Sequence, residues 1–244
     1  MLRGLREASE RWAQRERMRP RLTCGMAALD ALLGGGWPQG RVGELTGPAS
    51  SGRSGVAVAT VSAATARDEV VAWLDLADAF NPASAAAAGT DLTRVLWVRP
   101  RGLEEAVRTA ELVLEVGGFT VTVLDLGSAA ITARTVPGST RGRGRGALRL
   151  RLARAVERAG VVALVLTERP WVGTLAGATV VLGRGEARWG TCGEARWLDG
   201  IVPQVRVERG GARHDPSAGT GASFGRAAGP SASGERRERR VLGA

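Results

Sequence analysis

Lysine and tyrosine are absent from this 244-residue chain, asparagine occurs once (Asn81) and isoleucine twice (Ile131 and Ile201). These residues have AT-rich codons, whereas seven tryptophans persist, which is the signature of a very GC-rich genome. All 34 basic residues are arginine. An arginine standing where a lysine is expected therefore reflects drift as well as chemistry. The two cysteines, Cys24 and Cys192, lack metal-ligand spacing and cannot staple so long a chain, which excludes a zinc site and a disulfide framework. The longest apolar run, Val161 to Leu166, is far too short to cross a bilayer, and the opening MLRGLREASERW has no apolar signal core. The expectation is a cytoplasmic protein without membrane contact.

What is present fits one sizeable α/β domain with tails. Hydrophobic residues make up 44% and charged residues 24%, the usual balance of a globular chain. The net charge of +10 is focused in three segments. Residues 1–22 carry +4 and residues 205–244 another +4, while residues 134–158 hold eight arginines against Glu157 alone. The remainder is acidic. Focused positive charge suits a polyanionic partner.

Strands alternate with helices along the middle of the chain, and the strands are apolar on both faces, as in a parallel sheet covered by helices. Residues 2–18 read as an arginine-rich helix, and the run from Cys24 to Leu33 as another with Met26, Leu29, Leu32 and Leu33 on one face, ended by Gly34, Gly35 and Gly36. Arg41 to Thr46, Val70 to Asp75, Val95 to Val98, Thr120 to Asp125 and Val161 to Thr167 read as strands, with Ala178 to Leu182 and Ile201 to Val207 closing the sheet. Trp73 and Trp97, inside apolar strands, are assigned to the core. Three parts follow: a basic helical segment over 1–22, a core over 23–208, and an Arg/Gly/Ser-rich tail over 209–244 with too little apolar surface to order itself.

The sharpest motif lies between a strand and a helix: Gly47-Pro48-Ala49-Ser50-Ser51-Gly52-Arg53-Ser54. It fits the phosphate-loop pattern G-x-x-x-x-G-K-[ST] except at the lysine, which is Arg53. The glycines let successive amides and the helix N-terminus face phosphates, and the Ser54 hydroxyl would ligate magnesium. Arginine keeps the charge but is longer, planar and forked, so weak binding of ATP and Mg2+ is expected. A strand–helix turn that binds nothing is the plain alternative.

With these residues in view, the run GMAALDALLGGGWPQGRVGELTGPASSGRS resembles the opening of the bacterial RecA recombinase core, which carries GPESSGKT. VVAWLDLADAFNPASAAAAGTDLTRVLWVRP is similar to the RecA segment containing I-D-A-E-H-A-L-D-P. The strand TVTVLD ends in Asp125, 72 residues after Arg53, close to the spacing of the Walker-B carboxylate that holds magnesium through water. The likeness covers about residues 23–182 and implies a RecA-like α/β fold. It is closer still to the ImuA family of RecA-like accessory proteins. Their partners are a Y-family polymerase homologue (ImuB) and an error-prone C-family polymerase in damage-induced (SOS) mutagenesis.

The departures are informative. The catalytic glutamate of RecA aligns with Ala77, which cannot polarise water. The adenine-stacking tyrosine aligns with Ser84, and the γ-phosphate-sensing glutamine with Glu168. The DNA-gripping loop after the strand ending at Thr167 is cut to Arg169-Pro170-Trp171-Val172-Gly173-Thr174-Leu175-Ala176-Gly177. The other DNA loop corresponds to 135–146, where Arg141, Arg143 and Arg145 alternate with glycines and suit phosphate-backbone contact; a merely solvated loop would look the same. Trp171 is read as packing. Trp189 and Trp197 flank a hairpin-like stretch without an assignable role. The resulting expectation is an accessory factor in translesion synthesis that binds a polymerase and DNA on a fold with a decayed ATPase site. The rivals are an active DNA-dependent ATPase or recombinase and a damage-response or cell-division regulator.

Overall fold

The structure, a computed structural model, describes residues 14–16, 18–128, 141–192, 195–202 and 204–210. Most of the helix expected over 2–18 and nearly all of the tail expected over 209–244 lie outside the described residues. In chain order the elements are β1 (Arg21–Leu22), α1 (Ala27–Leu33), β2 (Trp37–Pro38), β3 (Arg41–Thr46), α2 (Arg53–Thr65), β4 (Val70–Asp75) and α3 (Pro82–Ala87). They continue with β5 (Val95–Val98), α4 (Leu103–Val116), β6 (Phe119–Gly127), α5 (Arg141–Ala159), β7 (Val162–Thr167) and β8 (Ala176–Leu182). β9 (Glu186–Cys192), β10 (Ala195–Val202) and β11 (Val205–Arg209) complete the chain.

Local sequence explains where the helices start. Asn81 accepts a hydrogen bond from the Ser84 amide at 2.8 Å and Pro82 follows it, an N-cap and a first-turn proline for α3. In α4, Glu104 and Glu105 occupy the first turn, where the helix dipole favours them. Its buried stripe Ala106, Val107, Ala110, Val113 and Leu114 has the three-and-four spacing of one helix face.

Seven strands form one sheet in the order β11-β8-β3-β7-β6-β4-β5, all parallel except β11, which runs antiparallel to β8. This is the RecA-like α/β architecture that the sequence implied. α1 and α2 bury Leu29, Leu33, Val56 and Val61 with Leu45, Trp73, Val123 and Leu164 on one face. α4 and α5 bury Val107, Leu114, Leu152 and Val156 with Val42, Leu74, Leu124 and Val165 on the other. Because the strands are parallel, the loops after β3, β4, β6, β7 and β8 all emerge at one edge, where ligands of open parallel sheets bind.

Three local expectations are corrected. Trp97 is 39% exposed, because β5 is the edge strand and the ring packs only edge-on against Phe80, with the Arg99 guanidinium 5.0 Å above it. The closing strand expected over Ile201 to Val207 is two strands: Ile201 and Val202 end β10, and Val205 opens β11. Arg141, Arg143 and Arg145, expected in a loop over 135–146, lie in the first turns of α5. The packed stripe of Leu148, Leu152 and Ala155 propagates the helix back through glycines that cost about 1 kcal/mol each.

Two polar clusters fasten the sheet. Arg41 bonds Glu16 at 2.6 Å and Glu157 at 2.9 Å, and Arg19 bonds Glu16 at 2.9 Å. Burial alone would raise the Glu16 carboxyl, but the hydrogen bonds from Arg41 and Arg19 hold it below the usual carboxylate range. Glu44, fully buried in β3, accepts hydrogen bonds from the amides of Trp171, Val172 and Gly173 at 2.5, 2.6 and 3.4 Å. It thereby pins the short loop after β7 and holds Trp171, 2% exposed, against α5. Glu44→Ala orphans those amides and is expected to lower unfolding free energy by about 3 kcal/mol in chemical denaturation. A loss below about 0.5 kcal/mol, the range of neutral surface changes, would show that the carboxylate does not hold the loop.

Candidate functional site

The loop from Gly47 to Gly52 leaves the C-terminal end of β3 and delivers the chain into α2. A Cβ on Gly47 would lie 2.3 Å from the Leu182 carbonyl oxygen and 2.6 Å from Ser51 Oγ, so only glycine fits. Gly52, the N-cap of α2, is left-handed at φ 93° and supplies no capping side chain. The first-turn amides of a thirteen-residue helix are therefore open to an anion. Pro48, Ala49, Ser50 and Ser54 are exposed. Ser51 is buried, and its hydroxyl has no hydrogen-bond partner.

Arg53 does not reach outward. Its Nη1 donates to the Gly47 carbonyl at 2.8 Å, so the guanidinium closes the loop on itself.

Behind the loop stand two carboxylates paired in register, Asp75 on β4 and Asp125 on β6. They are 2% and 3% exposed. Asp75 is committed to the backbone: Oδ1 accepts from the Ala79 amide at 2.9 Å and Oδ2 from the Phe80 amide at 3.0 Å. Asp125 Oδ1 accepts from the Gly127 amide at 3.1 Å, leaving Oδ2 for another partner. Burial, with the neighbouring Asp75 charge, pushes the Asp125 carboxyl from the usual 3.8 up to about 6, against the opposing pull of Gly127 and Arg53.

Ala77 sits beside Gly127, and its methyl offers no base. Asp78 turns away at φ 51° and lies 3.7 Å from Arg99 at the surface. Ser84 belongs to the first turn of α3 and provides no aromatic ring.

A family model described as "RecA N-terminal domain" matches residues 13–162. The chain belongs to that family. Among its relatives, a protein named "Protein RecA" from Lactobacillus delbrueckii subsp. bulgaricus is 35% identical over 115 residues, covering 47% of this chain and 35% of the relative. Another "Protein RecA", from Streptococcus pyogenes serotype M49, is 33% identical over 118 residues, covering 48% of this chain and 31% of the relative. The matched stretch spans about a third of the length of these RecA proteins.

Within this RecA-family fold, the structure brings Gly47 to Ser54 and Asp125 to one edge of the sheet. The residues fit a phosphate chain with magnesium: open amides at α2, the exposed Ser54 hydroxyl and the free Asp125 oxygen. Among the described residues no cluster of three or more metal-ligating side chains occurs. No described helix is long and apolar enough to cross a membrane.

Of the three arginines expected to meet DNA, Arg145 is half-buried, and its enclosed Nη2 has no hydrogen-bond partner. The same holds for Nε of Arg149, one turn on, whose guanidinium lies 5.7 Å from the Trp171 ring. Sequence reasoning had missed Glu44 and Arg149. Glu44 was signalled by a lone acid inside an apolar strand, but Arg149 by nothing local.

The raised Asp125 carboxyl has a thermodynamic consequence. Its protonated form is favoured by folding, so its stabilisation is complete below about pH 4 and lost as pH rises to about 6. Asp125→Asn is expected to gain about 2–3 kcal/mol at pH 7.5 and nothing at pH 3.5, read from paired denaturation curves. An equal effect at both pH values would contradict the burial cost.

Proposed function

We propose that this RecA-family chain is an accessory protein of damage-induced translesion synthesis, of the ImuA type. It would bind a Y-family polymerase homologue, an error-prone C-family polymerase and DNA, and would not turn over nucleotide rapidly. The observation that carries the reading is the split at the sheet edge. The phosphate cradle and Asp125 are intact, whereas Ala77 stands where the family places its catalytic carboxylate and Asp75 is tied to the Ala79 and Phe80 amides.

In this reading the amides of the loop and of α2 hold the phosphates. Ser54 and Asp125 would hold magnesium, which would supply charge neutralisation for the phosphates. Arg53 must first leave the Gly47 carbonyl. With Ala77 in place of a carboxylate, an attacking water would lack its orienting base and a bound nucleotide would stay uncleaved.

DNA contact is assigned to Arg141, Arg143 and Arg145, at the same edge of the sheet as the phosphate loop. The cut-down loop over 169–173 is held against the core by Glu44 and cannot wrap a strand. Neither filament formation nor strand exchange is therefore expected.

Steady-state ATP hydrolysis should stay at background with or without single-stranded DNA. Arg53→Lys should tighten nucleotide binding several-fold, because an ammonium need not cap Gly47, and should leave hydrolysis unchanged. DNA-stimulated turnover by the natural chain would overturn this reading in favour of an active ATPase.

A further inference from the structure

Three enclosed donors around the first turns of α5 have no acceptor: Arg145 Nη2, Arg149 Nε and the indole Nε1 of Trp171. Arg145 and Arg149 stand four residues apart and share one face of the helix. The Trp171 ring lies 5.7 Å from the Arg149 guanidinium. Arg151 shows the ordinary outcome, because its guanidinium bonds both carboxylate oxygens of Glu111 on α4. A cationic N–H taken out of water without an acceptor keeps an uncompensated desolvation cost, and native structures seldom leave such groups orphaned. Among the described residues no acid pairs with Arg145 or Arg149. Glu44, which holds the Trp171 backbone, already accepts from three amides, and Glu157 is bonded to Arg41. The connection over 129–140 contains neither Asp nor Glu. The two cations are left without a carboxylate.

We infer that Arg145, Arg149 and the Trp171 indole form an oxyanion site for a phosphoryl group, separate from the phosphate loop. The donor set suits that chemistry. Guanidinium groups match phosphate oxygens with charge-assisted bonds, and an indole N–H can only donate. Donors carried on two elements, a helix and the loop packed against it, suit a tetrahedral anion with several acceptor directions better than a flat carboxylate. The site is approachable: both arginines are only half-buried, and a Cβ on Gly144 or Gly146 would meet nothing within 4 Å. It is also preset, because Glu44 fixes the Trp171 and Val172 amides at 2.5 and 2.6 Å and Trp171 is 2% exposed. α5 and Trp171 pack on the face of the sheet opposite α2, the helix that the phosphate loop enters. The inference goes beyond the DNA contact proposed above, since it holds whether the phosphoryl group arrives free or on a nucleic-acid backbone.

Nitrogen-15 NMR of the full chain tests this, with the Trp171 indole signal assigned by its loss in Trp171→Phe. Inorganic phosphate and, separately, a short oligothymidylate are titrated in. At least one of them should move the Trp171 Nε1–H and Arg149 Nε–H signals together along a single binding curve. Arg149→Gln should weaken that curve about tenfold, and Arg145→Gln gives a second, independent loss should the first variant disturb the helix. The amide spectrum of each variant reports its fold. A response to phosphate alone identifies a free phosphoryl ligand, and a response to the oligonucleotide identifies a backbone phosphate; either supports the site. Movement confined to the Arg53 and Ser54 amides would place the anion in the phosphate loop and overturn the inference. So would an equal response to acetate, or an unchanged curve in both glutamine variants. Oligonucleotide binding that leaves both signals still would overturn the site while leaving the DNA contact above intact. No response to either probe would overturn the site as well.

Discussion

Asp75 and Asp125 lie side by side on adjacent parallel strands, both almost fully withdrawn from water. Two like charges in that position cannot both be comfortable, and the structure relieves the conflict asymmetrically. Asp75 takes two backbone amides and closes the turn after β4, while Asp125 retains one open oxygen with its carboxyl raised to about 6. The turn closed by Asp75 sets Ala77 against Gly127 and sends Asp78 outward to Arg99. The turn after β4 is thus a local, hydrogen-bonded arrangement that presents a methyl group beside Gly127.

The same edge gathers groups that lie far apart in the sequence. Parallel strands force every loop after β3, β4, β6, β7 and β8 to one side, so a phosphate cradle, a carboxylate and basic helix turns remain neighbours whatever reaction they serve. Arg53 illustrates the point. It fills the cationic position of the loop, yet its fork finds the Gly47 carbonyl within the loop itself. The buried Glu44 plays a complementary part: by accepting from the Trp171 and Val172 amides it makes the connection after β7 part of the core.

Much of this was legible in the residues. Two glycines at fixed spacing signalled a tight strand-to-helix loop, which is what stands between β3 and α2, and Asp125 lies near the end of a largely apolar strand. The interior strands announced themselves by being apolar on both faces. The misread element was an edge: the apolar run around Trp97 looks like a buried strand, because strand order is a property of the whole sheet and not of four residues. Glycines at 142, 144 and 146 argued for a loop, but packing of Leu148 and Leu152 carries α5 through them. The carboxylate pair across β4 and β6 depends on register. Register appears only when the strands are laid together.

In the proposed role the family fold would hold a polymerase rather than act as a motor. Sedimentation velocity of the full chain mixed with a purified Y-family polymerase homologue, with and without ATP and Mg2+, tests it most directly. The account predicts a stoichiometric complex whose affinity is the same in both conditions. No complex, or one that forms only while ATP is being consumed, would contradict it.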